Sequence, residues 1–210
     1  MTGPQMENPC DPVVYVIDDD AGVRETLSGL LRTVGLKSQG FGSTDDFLAH
    51  PRPDAPSCII LDVRVPGVGG MELQRQLNDR LDPTPIIFMT GHADLPMSVR
   101  AMKAGAAEFF TKPFRDQDLL DAVQLAISRD RARHDERRRL AALQDRYEGL
   151  TAREREVLKM MLTGRLNKQI AADIGASESS VKVHRMHVMR KMGAASLVEL
   201  IRMAGVLNLG

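Results

Sequence analysis

The stretch CIILDVRVPGVGG, residues 58–70, decides how the first half of the chain is read. An unbroken apolar run from Cys58 to Leu61 ends on a carboxylate, Asp62, and Pro66, Gly67, Gly69 and Gly70 follow almost at once. A short continuous apolar run bounded by turn residues is the signature of a strand buried on both faces. Taken alone, Asp62 reads equally well as the N-cap of the next helix, since a carboxylate there accepts the open N–H groups of a first turn.

The same rhythm recurs on either side. VVYVI (13–17) reads as a buried strand, followed by a helix over 22–34 with Val23, Leu27, Leu30, Leu31 and Val34 on one side. KSQGF (37–41) is a weaker strand, and Ser43 is placed to cap a helix carrying Phe47 and Leu48. SCIIL (57–61) is the third strand and MELQRQLNDRL (71–81) the third helix. PIIFMT (85–90), a helix over 97–104, AEFFT (107–111) and a helix from Asp116 complete five repeats. Continuous apolar strands alternating with helices predict a parallel sheet covered on both faces. Right-handed crossovers then make it a flavodoxin-like, doubly wound five-stranded α/β fold.

The second half has a different character. Residues 1–127 carry 11 Lys and Arg against 18 Asp and Glu, a net of −7, and residues 128–210 carry 17 against 10, a net of +7. An acidic half joined to a basic half predicts two domains with different partners, the basic one suited to nucleic acid. Charges clustered by chance on solvated faces are the plainer alternative. The expected organisation is a tail over 1–12, an α/β domain over 13–127, a helical connector over 128–149 and an all-α domain of four helices over 150–210. The connector has no Gly or Pro until Gly149, and Leu125, Ala132, Leu140, Leu143, Tyr147 and Leu150 form an irregular apolar side. Its many arginines read as a solvated face in preference to a DNA contact. Beyond it, Thr151 and Glu154 have the spacing of a capping box, and Glu154 and Glu156 read as capping or salt-bridge groups.

Composition also narrows the setting. Two cysteines do not make a disulfide framework. No signal-peptide pattern opens the chain and no apolar run is long enough to span a bilayer. A reducing cytoplasm is expected, with no membrane partner.

In doubly wound sheets, ligands bind beyond the C-terminal ends of the strands. The expected strands end in Asp18, Asp19 and Asp20, in Asp62, in Thr90, and in Thr111, Lys112 and Pro113. Converging carboxylates repel and raise one another's pKa unless a cation lies among them. Mg²⁺ suits such a place, because it prefers oxygen, takes one or two carboxylates and keeps waters. A carboxylate held there can act as a nucleophile on a phosphoryl group and form an aspartyl phosphate. That transfer needs positioning and charge neutralisation, which Lys112 helps to supply while Thr90 hydrogen-bonds a phosphoryl oxygen.

The segments VIDDD, LDVRVPGVGG and FMTGHADLPMSVRAMKAGAAEFFTKPF together resemble the CheY-like receiver domain of two-component response regulators. The resemblance implies that Asp62 is the phospho-acceptor and that Asp19, Asp62 and the backbone carbonyl of Arg64 ligate Mg²⁺, with Asp18 acting through a water. It also implies that Thr90 and Phe109 form a coupled switch, that Lys112 contacts the phosphoryl group, and that the Lys112–Pro113 bond is cis.

In the basic half, NKQIAADIGASESSVKVHRMHVMRKM has the helix, Gly-containing turn and helix of a helix-turn-helix. Its second helix offers Val181, Val188 and Met189 to a core, and Lys182, His184, Arg185, His187, Arg190 and Lys191 as polar reach. With LTAREREVL and KMGAASLVELIRMA, this half resembles a LuxR-type output domain, and the complete chain resembles the NarL/FixJ family. TGHADLPMSVRAMKAGA and Arg64 point to its FixJ-like branch. The resemblance implies that Lys182, Val183 and Met186 face bases and that Lys168, Arg185, His187 and Arg190 lie near the DNA backbone. Met186 stands where some members carry a basic residue, and a Met can instead touch a thymine methyl. Leu197, Val198 and Ile201 are the implied dimer contact.

The function implied is a non-enzymatic transcription regulator. A sensor histidine kinase is its phosphodonor, double-stranded DNA its target, a homodimer its active form, and RNA polymerase a further candidate partner. One alternative is a constitutive DNA binder whose receiver serves only as a dimer module. Another is an Mg²⁺-dependent aspartyl-phosphate phosphatase, which needs a second carboxylate where Arg64 stands. A third is an RNA-binding antiterminator, against which the helix-turn-helix pattern weighs.

Overall fold

Strands Val13–Ile17 (β1), Lys37–Phe41 (β2), Ser57–Asp62 (β3), Ile86–Thr90 (β4) and Glu108–Thr111 (β5) form one parallel sheet in the order β2-β1-β3-β4-β5. This is a computed structural model, and it describes residues 11–91 and 95–209. Helices Ala21–Thr33 (α1), Thr44–Ala49 (α2), Gly70–Asp79 (α3) and Leu95–Lys103 (α4) connect the strands, and Asp116–Glu148 (α5) follows the last.

Alternation of side chains along each strand sends successive residues into two cores. Val14, Val16, Cys58, Ile60, Ile87 and Met89 meet Leu27 and Leu31 of α1 and Leu119 and Val123 of α5. Tyr15, Ile17, Ile59, Leu61 and Phe88 meet Phe47 of α2, Leu73 and Leu77 of α3 and Ala101 of α4. Burying each large apolar side chain contributes roughly 1.5–3 kcal/mol, and the central strands β1, β3 and β4 are apolar almost throughout. The strand order reverses at β1, so β1 and β3 lie side by side with Ile17 paired to Leu61. The acidic residues that follow each strand therefore emerge together.

Local chemistry sets most helix ends. Asp20 caps α1 by accepting the N–H groups of Gly22 and Val23, and Ser43 caps α2 as its spacing predicts. Helix α3 stops short of the expected residue 81, because Leu81 takes a left-handed φ of 56° and the Asp82 N–H donates back to the Leu77 carbonyl. Strand β4 starts at Ile86, since Pro85 has no N–H for a ladder; its carbonyl still accepts from the Ile59 N–H at 2.9 Å.

Helix α5 is one uninterrupted element of 33 residues, continuous through the segment expected as a separate connector. The chain divides into two compact units between His134 and Asp135. Before that division Asp130 is 1% exposed and its Oδ2 accepts the Ser57 N–H at 2.8 Å. Arg133 also donates to Asp130, and His134 lies between Asp130 and Asp54, at 3.4 and 3.2 Å. The first turns past residue 127 are thus fastened to the base of β3.

The second unit contains Ala152–Leu162 (α6), Asn167–Ile174 (α7), Glu178–Met192 (α8) and Leu197–Val206 (α9). Val157, Leu158, Met161, Ile170, Ile174, Val181, Val188, Met192 and Leu200 form its core, with Leu143 and Tyr147 of α5 packed against them. The expected apolar side of the connector is therefore split: Leu125 and Leu140 are exposed, while Leu143, Tyr147 and Leu150 join this core. On α8 Val181 and Val188 are buried as expected, Met189 packs half-buried against the same core, and Met192 is a further buried residue on that face.

The Asp130 bond generates a stability prediction. Asp130→Ala strands the Ser57 N–H in the interior, and the expected loss is about 1–3 kcal/mol in the urea unfolding of the first unit. Asp130→Asn, which keeps an acceptor oxygen, should lose less.

Candidate functional site

Asp18 directly follows β1 and is 1% exposed; Asp62 is the last residue of β3. Lys112, just past β5, places its Nζ 2.8 Å from Asp18 Oδ2 and 3.1 Å from Asp62 Oδ2. The other two oxygens accept backbone N–H groups, Asp18 Oδ1 from Asp20 at 3.0 Å and Asp62 Oδ1 from Arg64 at 2.9 Å. Asp62 is therefore not a helix cap. The N-cap of α3 is Gly69, which has no side chain to offer. A hollow of about 410 Å³ is lined by Asp18, Asp19, Asp62, Arg64, Thr90 and Lys112. Burial works against the Lys112 charge, but hydrogen bonds and Coulombic attraction from Asp18 and Asp62 outweigh it and raise its pKa. The site thus keeps a fixed cation between its carboxylates at neutral pH.

The turn after Asp62 is shaped by close approach. Gly67 has φ of +97°, and a Cβ there would overlap Thr44 Oγ1. Thr44, fully buried at the start of α2, donates to the Pro66 carbonyl at 3.2 Å and accepts the Val68 N–H at 2.9 Å. At Gly70 an added Cβ would lie 2.8 Å from the Asp62 carbonyl oxygen, so glycine lets α3 begin directly against the acceptor strand. Sequence reasoning passed over Thr44, and likewise Arg24, which donates to the Asp18 carbonyl at 2.6 Å. Thr44 carries no local signal, since its partners lie more than twenty residues away.

Thr90 ends β4 and is 1% exposed, and its carbonyl accepts the Lys112 N–H at 2.8 Å. Phe109 pairs in register with Phe88, their ring centroids 6.0 Å apart, so Phe88, Thr90 and Phe109 share one face of the sheet. The Lys112–Pro113 bond is cis. Among the described residues no three His, Cys, Asp or Glu side chains form a ready metal cage. An open acidic hollow instead suits an ion that uses one or two carboxylates and retains water.

In the second unit, α7 ends on Gly175 at φ 63° and Ser177 caps α8 by accepting the Ser180 N–H. Ser179, Lys182, Val183, Met186 and Arg190 form one exposed stripe along α8. Val183 and Met186 are 47% and 56% exposed, apolar groups held outward on a basic face. Lys168 and Arg185 line a second hollow, of about 430 Å³, together with Glu178. Lys191 does not extend outward as the polar side of the helix suggests. Its Nζ is 2.7 Å from Glu154 Oε2 and 3.2 Å from the Gly149 carbonyl. Thr151 and Glu154 complete the expected capping box, and Glu156 pairs with Arg153 at 2.7 Å. On α9 Leu200 is buried, Leu197 packs half-buried, and Val198 and Ile201 are exposed.

These features define a receiver module joined to a helix-turn-helix output module. The model of the response regulator receiver domain matches residues 14–124, and that of bacterial regulatory proteins of the luxR family matches residues 148–204. Nodulation protein W of Bradyrhizobium diazoefficiens is 49% identical over 197 residues, covering 94% of this chain and 87% of that protein. Transcriptional regulatory protein FixJ of Azorhizobium caulinodans is 44% identical over 191 residues, covering 91% and 90%. The solved structure of response regulator StyR superposes with a TM-score of 0.87 at 44% identity, over 93% of this chain and 99% of that one. The chain belongs to the NarL/FixJ family of response regulators. Several of its relatives carry the name transcriptional regulatory protein. Among the described residues no helix is long and apolar enough to cross a membrane.

Glu154 makes the second unit acid-sensitive. Hydrogen bonding from Lys191, opposed by burial and reinforced by Thr151, lowers its carboxyl pKa from 4.5 to about 2. A depressed carboxylate stabilises the fold fully above its unfolded value and loses that contribution as pH falls through the folded one. Amide protection factors in α6 and α8, taken relative to the free-chain exchange rate at each pH, should therefore fall as pH drops from 4.5 towards about 2. Glu154→Gln should remove this dependence.

Proposed function

We propose that Asp62 accepts a phosphoryl group from the phosphohistidine of a sensor histidine kinase, and that the acyl phosphate governs chain pairing and the grip on double-stranded DNA. The observation that carries this reading is Lys112 bridging Asp18 and Asp62 at the switch in strand order, with Thr90 on the same hollow. An Asp62 oxygen attacks phosphorus as the phosphorus–nitrogen bond breaks. Lys112 and the Thr90 hydroxyl then hold the transferred oxygens. Asp19, Asp62 and the Arg64 carbonyl would hold Mg²⁺, with Asp18 acting through water, and the ion when bound supplies the remaining positive charge. The cytoplasm is where a kinase phosphohistidine and DNA are both within reach.

The new anionic group draws Thr90 towards it, and Phe109, on the same sheet face, follows. The surface carrying Val99, Arg100 and Lys103 then shifts its population towards a pairing-competent form, by no more than the group's preference for that form. In the output module Lys182, Val183 and Met186 face bases while Lys168, Arg185, His187 and Arg190 meet the backbone. The exposed stripe of α8 supports that division. Val198 and Ile201 of α9, with Leu197 beside them, carry the dimer contact, which sets two recognition helices about 34–36 Å apart. RNA polymerase is the partner such a dimer meets at a promoter.

Acetyl phosphate labelling followed on phosphate-affinity gels tests the acceptor. Asp62→Asn should not label, and Lys112→Met should label on the order of 10² slower. Normal labelling of Asp62→Asn removes the assignment, and DNA affinity indifferent to phosphorylation reduces the receiver to an assembly module. Ile201→Asp should leave the phosphorylated protein folded but unable to pair through its output module, as read by sedimentation with operator-length DNA.

A further inference from the structure

Asp18 is held at every polar atom it has. Its N–H donates to the Phe41 carbonyl at 3.2 Å, its Oδ1 accepts the Asp20 N–H at 3.0 Å, and its Oδ2 meets Lys112 Nζ at 2.8 Å. The fourth contact comes from α1, where Arg24 Nη1 donates to the Asp18 carbonyl at 2.6 Å. The registered pairing of β1 with β2 ends at Ile17 and Phe41, so a side chain takes the place of the next strand N–H. Arg24 also sits one turn into α1, its own N–H donating to the Asp20 carbonyl at 3.1 Å. Its stem reaches back along the end of β2. A Cβ at Gly40 would lie 3.3 Å from Arg24 Cδ and one at Gly42 would lie 3.8 Å from Nη1, so these two glycines leave its path open.

The peptide that joins Asp18 to Asp19 is planar. Fixing its carbonyl oxygen therefore fixes the Asp19 N–H and the direction in which the Asp19 Cα leaves the strand. Lys112 grips the Asp18 carboxylate but has no hold on this peptide; Arg24 has. Asp18, Asp19 and Asp20 all line the hollow beside Asp62, so the orientation of this peptide decides how Asp19 is presented there. A group that orients ligands without touching the ion acts chiefly on affinity, typically by about 10- to 100-fold. A guanidinium is also a cation, and as a bare charge it would repel a second cation nearby. The two roles predict opposite signs: losing an orienting group weakens metal binding, and losing a repelling charge tightens it.

We infer, on the reading of this hollow as a Mg²⁺-dependent acceptor site, that Arg24 is a positioning residue for the metal. By holding the Asp18 carbonyl it sets how tightly the acidic strand ends take Mg²⁺, and it contributes little to phosphoryl transfer once the ion is bound.

The test titrates the full, unphosphorylated chain with Mn²⁺, followed by the electron paramagnetic resonance of the free ion, and obtains the Mg²⁺ affinity by competition. Arg24→Gln should raise the Mg²⁺ dissociation constant about 10-fold. Arg24→Lys keeps the charge but loses the planar fork, and should also bind more weakly than wild type. Gly40→Val leaves Arg24 in the chain and crowds its stem, so it should shift the constant in the same direction by a smaller factor. Acetyl phosphate labelling then separates binding from transfer. Arg24→Gln should label slowly at low Mg²⁺ and within about 2-fold of wild type at saturating Mg²⁺, while Lys112→Met stays slow at every concentration. Loss of a buried hydrogen bond lowers stability to urea in any case, and by itself produces no such split. An Arg24→Gln protein that binds Mg²⁺ as tightly as wild type, or more tightly, overturns the positioning role, and so does labelling that stays slow at saturating Mg²⁺. A wild-type protein that takes no Mg²⁺, or whose affinity is unmoved by Asp19→Asn, instead sinks the metal reading beneath it.

Discussion

A single ammonium group ties three strands together at the edge of the sheet. Lys112 follows β5, Asp18 follows β1 and Asp62 ends β3, so one side chain crosses the span that strand order opens between them. Two carboxylates brought this close would otherwise repel, and each would favour its protonated form. The cation offsets that repulsion and holds the Asp62 side chain in position. Everything else at this end of the receiver serves the same arrangement. Arg24 and the Asp20 N–H fix the Asp18 side, and the Arg64 N–H together with the glycine turn fixes the Asp62 side.

The turn itself shows how narrow the tolerances are. Thr44 fills the space that a side chain at Gly67 would need, and the Asp62 carbonyl lies where a side chain at Gly70 would go. Helix α3 can therefore start against the strand that it follows. A receiver with bulkier residues at these two positions would keep its strands and lose the geometry around its acceptor.

What could be read from the sequence was what operates over short separations or strict periods. Continuous apolar runs gave the strands and their two buried faces; Ser43 and Thr151 announced their helices because donor and acceptor lie three residues apart. The acidic strand ends were legible because the strand order follows from the alternation of strands and helices. Contacts formed only by tertiary packing were not. Thr44 meets Val68 across 24 residues, Glu154 meets Lys191 across 37 and Asp130 meets Ser57 across 73. The same blindness explains α5. Its composition changes at Ser128, but helical continuity depends on the lack of a breaker and on burial of Asp130 and His134, which no local pattern announced.

The ion pairs of the output unit alter what its composition means. Lys191 faces Glu154, Arg153 faces Glu156 and Arg165 faces Asp173. Arg146 donates to the last carbonyl of α8. These cations are held by partners within the unit, while Lys182 and Arg190 on α8 stay exposed. A module of this kind keeps its net positive charge but fixes which cations face outward. Its discrimination begins with where positive charge has been cancelled.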